Sequence, residues 1–521
     1  MPDRWQTYPI EFRGGLISNL SPLQHGSAAP GSARNLINFE ASTEGGYRRI
    51  EGFSKFNPNV VTGQNNILGV TFFRDRAITA RDQTSGDPKL FAGARGTSDT
   101  EPAWTDLSTS LTLGTNTSRV RFCKYNFDGN DKLFIVDGIG YPLILAGVIA
   151  SDLSQLSGPS DLQGATHAVE FKEHIFVAKG ENLVFSAPFE DDDFTAASGG
   201  GIINVGSTIT DLIVFREQLI IFSEDRISRI VGNSIADFQM QPITDNIGCV
   251  VNDTAQEISG DVIFLGPDGL RTVAGTERNE DFNLASITKP VQKEIVSLTT
   301  ANTSFASLTL REKSQYRIFG FASTTTAAAS KGIIGTQLQG AQGAEINWSE
   351  TTGIKAFVAD STYTGKTEVA LFANDDGYVY EMESGNSFDG SNITASFSTP
   401  FFPITDPRTR KTIYRATIYT DPQGTVDLDF NVKYDLSESG VIEPDTITLS
   451  NTSSSGGIFI FGDPGAKFGT ATYSGESLQS IFDTQTQGSG FTVSLQFESS
   501  GKNPPFSLDA AVIEYGQYGR R

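Results

Sequence analysis

Along much of the chain a short apolar run gives way to a polar turn and then to a second strand-like run. Residues 370–382, ALFANDDGYVYEM, show the layout. Ala370 to Ala373 are apolar, Asn374 to Gly377 form a turn, and large and polar side chains then alternate to Met382, which together read as a β-hairpin. LFIVDGIGYPLIL from Leu133, IFVAKGENLVFSA from Ile175, LIIFSEDRISRIV from Leu219 and VIFLGPDGLRTVA from Val262 repeat it, with starts 42, 44 and 43 residues apart. A period of about 40 to 45 residues is that of a four-stranded propeller blade, whose small sheet buries its faces only against its neighbours. Weaker copies extend the series at Val70 (VTFFRDRAITA, followed by PKLFAGA) and at Ser307 (SLTLREKSQYRIFGF). The pattern predicts an all-β protein with a central β-propeller of about seven blades over residues 61–390. Intervals stretched to about 60 residues at the ends keep six blades open, and a sandwich of unrelated hairpins is the alternative.

Elsewhere the period changes. In SITKPVQKEIVS, Pro290 suits a first helical turn, and Ile287, Val291, Ile295 and Val296 predict the buried stripe of a short helix. After residue 390 the hairpins give way to longer alternating strands, KTIYRATIYT, TVDLDFNVKYD, FTVSLQFESS and FSLDAAVIEYG, which predict a carboxy-terminal β-sheet or sandwich domain, 391–521. Between them LSNTSSSGGIF reads as a surface loop. Residues 1–60 are rich in Gly, Pro and Ser without a sustained period, and predict an extended arm that must borrow its core from elsewhere, from another subunit or from the carboxy-terminal domain, with which it forms a β-rich platform.

Composition narrows the function. With 39 Lys+Arg against 61 Asp+Glu the net charge is −22, which argues against gripping nucleic acid through its phosphates. Double-stranded DNA passing without specific binding remains compatible with an acidic wall, whose reach is about 8 Å at physiological salt. The only cysteines, Cys123 and Cys249, lack a C-x-x-C spacing, so neither a disulfide framework nor a zinc cluster is expected. MPDRWQTYPI has no signal-peptide pattern and no window nears 18 uncharged apolar residues, so synthesis in the cytoplasm without membrane insertion is expected.

The arm carries the candidate assembly residues. Gly14, Gly15, Gly45 and Gly46 permit backbone conformations closed to other residues, which lets an arm bend twice and lay a strand against another element. Tyr47, Arg48 and Arg49 beside them are of the types that dominate buried interfaces, and Arg48 or Arg49 is expected to pair with carboxylates across a subunit or partner contact, a solvated basic pair being the alternative.

The stretch that holds them, FRGGLISNLSPLQHGSAAPGSARNLINFEASTEGGYRRIEGFSKF (12–56), resembles the amino-terminal signature of the tail nozzle proteins, or tail tubular proteins B, of short-tailed bacteriophages. VIFLGPDGLRTVAG leading into SITKPVQKEIVS, GYVYEMESGNSFDGSNI, and the terminal FSLDAAVIEYGQYGRR are similar to the same family. The resemblance implies a structural virion protein of the tail: a hexamer docked on a dodecameric tail adaptor, with tail fibres near the junction and a gated central channel through which DNA leaves. Six times −22 gives such a ring a charge of −132.

Reactive chemistry finds little footing. In FEDDDF, Glu190, Asp191, Asp192 and Asp193 are adjacent on one loop, whereas glycoside hydrolysis needs two carboxylates about 5 to 9.5 Å apart across a cleft. An acidic loop facing the channel, or a weak cation site, suits them better. TGKT (364–367) lacks the glycine of a phosphate loop, Asp360 standing in its place, and reads as a hairpin turn. His25, His167 and His174 have no metal-ligand spacing, and Asp128, Asn130 and Asp131 lack the full calcium-loop pattern. No enzyme, cofactor or metal is therefore expected. The rival functions are a polysaccharide-binding or depolymerising tail propeller and a monomeric interaction scaffold.

Overall fold

The structure, a computed structural model, describes residues 5–84, 86–96, 103–109, 111–156, 160–258, 260–278, 286–340, 343–437, 443–451 and 480–520. The fold is mostly β and holds a β-propeller. Its axis is surrounded by the strands β1 (Ile67–Phe73), β2 (Arg121–Tyr125), β3 (His167–Phe171), β4 (Ile209–Phe215), β5 (Gln256–Ile258), β6 (Ser304–Leu310) and β7 (Val358–Thr364). Each packs on the next, and β7 packs on β1. Six of them open separate sheets of three or four strands, the six blades, spanning 67–106, 121–155, 167–204, 209–244, 256–272 and 358–382. The sector between the fifth and sixth blades is filled by β6, which begins a nine-stranded sheet rather than a sheet of its own.

The recurring hairpin is the middle of each blade. Lys132–Val136, His174–Lys179, Gln218–Ser223 and Asp261–Gly266 are second strands, buried along almost their whole length because both faces of a blade meet a neighbouring blade. That two-sided burial explains why these segments read as continuous apolar runs. The turn from inner to second strand has its own signature in three blades: Arg74-Asp75, Lys172-Glu173 and Arg216-Glu217 are two-residue loops with both φ positive, between 46° and 62°. Such loops match the twist of the strands they join. An aromatic precedes each, and Arg74 and Arg216 lie over the rings of Phe73 and Phe215 at 5.3 and 5.0 Å.

Beside the propeller stands a sandwich. One sheet has seven strands, built around Thr409–Pro422 paired along its length with Phe506–Arg520. The other is the nine-stranded sheet, which runs from β6 through Lys331–Gly340 and Gly343–Thr352 into Asn35–Ile37, Ile393–Ser398, Val493–Gly501, Asp427–Tyr434 and Ile447–Ser450. Their inner faces share one core, in which Ile413, Ile418 and Ile513 of the first sheet join Phe397, Phe430 and Phe497 of the second.

The amino-terminal arm sews these parts together. Gln6–Glu11 pairs with Phe506–Arg520, Asn35–Ile37 joins the nine-stranded sheet, and Phe53–Lys55 becomes the fourth strand of the last blade by pairing with Val379–Met382. The last strand of the propeller thus comes from before its first, inside the stretch expected to be arm. The helix forms at Gln292–Ala301 behind a 3-10 turn at Lys289–Val291. Val291, Ile295 and Leu298 are its buried face, whereas Val296 is exposed, because a turn of about 3.6 residues carries Leu298 and not Val296 back onto the stripe. Most of the serine- and glycine-rich stretch beyond Asn451 lies outside the described residues.

Candidate functional site

At the propeller axis charged side chains interrupt the apolar pattern. Arg119 and Arg121 stand at alternate positions leading into β2 and so face the same way. Both meet Asp253, just before β5 and three sectors around the ring. Arg119 Nε donates to Asp253 Oδ2 at 2.9 Å, and Arg121 donates to Oδ1 through Nε at 2.6 Å and to Oδ2 through Nη2 at 2.9 Å. Arg119 also donates to the carbonyls of Phe305 (2.6 Å) and Phe357, and Arg121 to that of Thr166 (3.1 Å). Two planar guanidinium forks thereby bridge from β2 to the entries of β3, β5, β6 and β7. Burial disfavours the Asp253 carboxylate, but Arg119 and Arg121 outweigh it and hold its pKa far below the usual range.

Above this bracket is a cavity of about 470 Å3. Asp211 of β4 lines it, and burial followed by the nearby Asp253 charge raises its carboxyl to about 7, against the pull of Arg121. His167 of β3 lines it too, 4% exposed, and burial together with Arg121 keeps its imidazole neutral. His167 Nδ1 lies 3.1 Å from Thr166 Oγ1, whose hydroxyl is 3.3 Å from the Ala178 carbonyl. Nε2 is buried with no partner among the described residues. Three residues past Arg121, Lys124 Nζ lies 3.6 Å from Asp360 Oδ2 and touches Thr362 Oγ1, while Thr71 donates to Asp360 at 2.7 Å. Exposure rises from 14% at Arg119 to 36% at Lys124, which places the mouth at this second layer.

A second charged cluster fastens the arm. Glu40 lies between Lys313 Nζ (2.8 Å) and Arg317 Nη2 (3.1 Å), on either side of the turn after β6 and in the strand that follows it. The same two cations hold Glu383, Arg317 Nη1 at 2.7 Å, and lower its pKa despite burial. Glu51 extends the network to Arg48 at 2.7 Å.

The sequence-derived residues fall as follows. Gly14, Gly15, Gly45 and Gly46 all have positive φ, from 66° to 109°. At Gly15 and Gly46 the space is also closed, since a Cβ would sit 2.8 Å from Trp348 N and 2.5 Å from Leu508 O. Tyr47 is fully buried and donates to the Gly31 carbonyl at 3.2 Å. Arg49 is 1% exposed and donates to the Gly501 carbonyl at 2.8 Å, and Arg48 pairs with Glu51 and Gln423. Within this chain Arg48 and Arg49 thus already have partners in the arm and the sandwich.

The acidic loop is not a row of equivalent charges and does not line the axial cavity. Asp191 Oδ2 accepts from Tyr125 (2.7 Å) and Lys132 (2.9 Å), Asp193 Oδ1 accepts the Thr195 N–H (2.8 Å), and Glu190 and Asp192 are exposed. Thr364 pairs with Thr367 across a hairpin turn, and Asp128 accepts the Asn130 N–H within another. His25 donates to Ser32 Oγ (2.6 Å) and His174 to the Ser186 carbonyl (2.6 Å), far from His167. Cys123 and Cys249 are buried, which pushes both thiols up to about 12. Among the described residues no three His, Cys, Asp or Glu side chains converge as metal ligands, and no helix is long and apolar enough to cross a membrane.

The axial cluster went unseen in the sequence, although it left a mark there. Arg-Val-Arg at 119–121 and a lone Asp in TITDLIVF put charge on strands otherwise fit for a core.

No protein-family model and no curated protein matches this chain. Among solved structures it is similar to the extracellular domain of the one-component system BT4673 from B. thetaiotaomicron (12% identity, TM-score 0.36, covering 76% of this chain and 48% of that one). It is similar as well to an exo-β-1,3-galactanase from Phanerochaete chrysosporium, solved with β-1,3-galactotriose (8%, TM-score 0.25, covering 92% and 100%), and to a S. cerevisiae dbp5 structure with nup159 and gle1 (10%, TM-score 0.33, covering 67% and 98%). This chain spans about half of the first of these. At TM-scores below 0.5 none of the three bears on the site.

Proposed function

We propose that this chain is a structural component of a bacteriophage tail: a nozzle subunit that forms a six-membered ring on the tail adaptor and bounds and gates the exit channel for DNA. One observation supports this above others: the stretches that resemble the nozzle family, far apart in sequence, are joined to one another through the arm. Tyr47 pairs with Leu508 in the carboxy-terminal strand, Glu381 with Ser54, and Ser18 N–H donates to the Pro290 carbonyl at 2.8 Å. Interlocking of this kind makes propeller and sandwich one load-bearing body, as a conduit wall requires.

In this reading the β6 sector acts as a seventh blade, and the sandwich with the arm is the platform that meets the adaptor. The DNA path lies between subunits, since a propeller axis bridged by Arg119, Asp253 and Arg121 leaves room only for a small molecule. Fibres attach at the platform, and the chain acts in the virion. Negative-stain electron microscopy of this chain mixed with dodecameric adaptor rings tests the reading. A six-fold collar on one adaptor face supports it; bare adaptors beside a chain that sediments as a monomer contradict it.

A further inference from the structure

We propose that the axial cavity is a binding site for a neutral, polyhydroxylated ligand of mono- to disaccharide size. This goes beyond the nozzle reading and does not depend on it.

The volume, about 470 Å3, is within the range of small-ligand sites, roughly 300 to 1,000 Å3. Its wall mixes fixed donors and acceptors at close range. Arg119, Arg121 and Lys124 supply N–H groups; Asp211, Asp253 and Asp360 supply oxygens, and Thr71 and Thr362 supply hydroxyls that can do either. A small anion would meet the carboxylates and a metal ion the guanidinium groups, so neither finds a uniform field. A sugar hydroxyl both donates and accepts, and can bridge an acceptor and a donor set side by side. His167 lines the wall as well, and its Nε2 has no partner among the described residues. Phe122, half-buried, is among the lining residues and packs at the edge of the apolar cluster of the first two blades, which gives the wall an apolar patch beside its polar groups. Ordinary carbohydrate recognition combines these elements: apolar stacking plus a few fixed polar groups.

Isothermal titration calorimetry of the full chain tests this with maltose, lactose and N,N′-diacetylchitobiose as neutral probes, and phosphate, citrate and calcium chloride as charged ones. The expected result is saturable binding of at least one disaccharide, weakened at least about tenfold in Phe122→Ala and in His167→Leu, with thermal unfolding showing both variants folded. Should either variant fail to fold, Asp360→Asn at the cavity mouth replaces it with the same expectation. No heat from any of the three disaccharides, binding of the charged probes alone, or disaccharide binding untouched by the folded variants would each overturn the proposal.

Discussion

Asp253 and Asp211 face the same axis and titrate in opposite directions. Asp253 is depressed, so its stabilising effect is complete above the ordinary carboxylate pKa of about 4 and fades as pH falls below it. Asp253→Ala leaves Arg119 and Arg121 without their counter-charge, and urea denaturation at neutral pH should show a loss of roughly 3 to 5 kcal/mol. Asp211, raised to about 7, keeps its proton in the folded chain where the unfolded chain has lost it. Folded protein therefore binds more protons between about pH 4 and that value, and stability falls as pH rises through the window. In Asp211→Asn that fall is absent, so its melting temperature relative to wild type should climb from about pH 5 to about pH 8; a flat difference would deny the raised carboxyl. Such residues resist sequence reading because a strand lining a polar axis and a strand at a surface both carry isolated charges. Tyr47 and Arg49 show another limit: aromatic and arginine side chains fill joints within a chain as readily as joints between chains, and residue type alone does not tell which.

Among elements, legibility followed burial on two faces. The middle hairpins were plain because blades sandwich them, while inner strands such as Arg121–Tyr125, with polar positions toward the axis, lacked a clean run. The helix was found with Val291 and Ile295 on its buried stripe, and only Val296 stood in the place that Leu298 takes. The β6 sector disguised itself, since its second hairpin, Lys331–Gly340 with Gly343–Thr352, is longer than any blade hairpin and continues into the sandwich. Least legible was Phe53–Lys55, whose partner Val379–Met382 lies more than 300 residues away. Phe53 stacks on Phe388 at 4.9 Å and meets Phe372 and Tyr380 edge-on, so Phe53→Ala should cost about 3 to 5 kcal/mol. Hydrogen exchange should place the added opening in Val379–Met382. Gly46→Ala, forced to φ 73° with its Cβ against the Leu508 carbonyl, should cost at least about 1 to 3 kcal/mol by the same denaturation measurement. A neutral Gly46→Ala would mean that the arm is not fixed on the carboxy-terminal strand.

At the scale of the molecule, the repeat period pointed to the propeller and the later alternation to a second β body, but nothing local announced that one sheet runs through both. That continuity suits the proposed wall element, because force on the sandwich passes into the propeller through backbone hydrogen bonds rather than through a linker. A chain of net charge −22 also repels its own copies, so ring closure should strengthen as salt is raised from low ionic strength, a trend that sedimentation velocity would follow. The most direct measurement is a cryo-electron microscopy reconstruction of the phage tail that contains this chain. The account predicts six copies around the tail axis at the distal end, with the DNA channel between subunits and each propeller axis off that channel. A single copy, a peripheral position on a fibre, or no copy in the particle would contradict it.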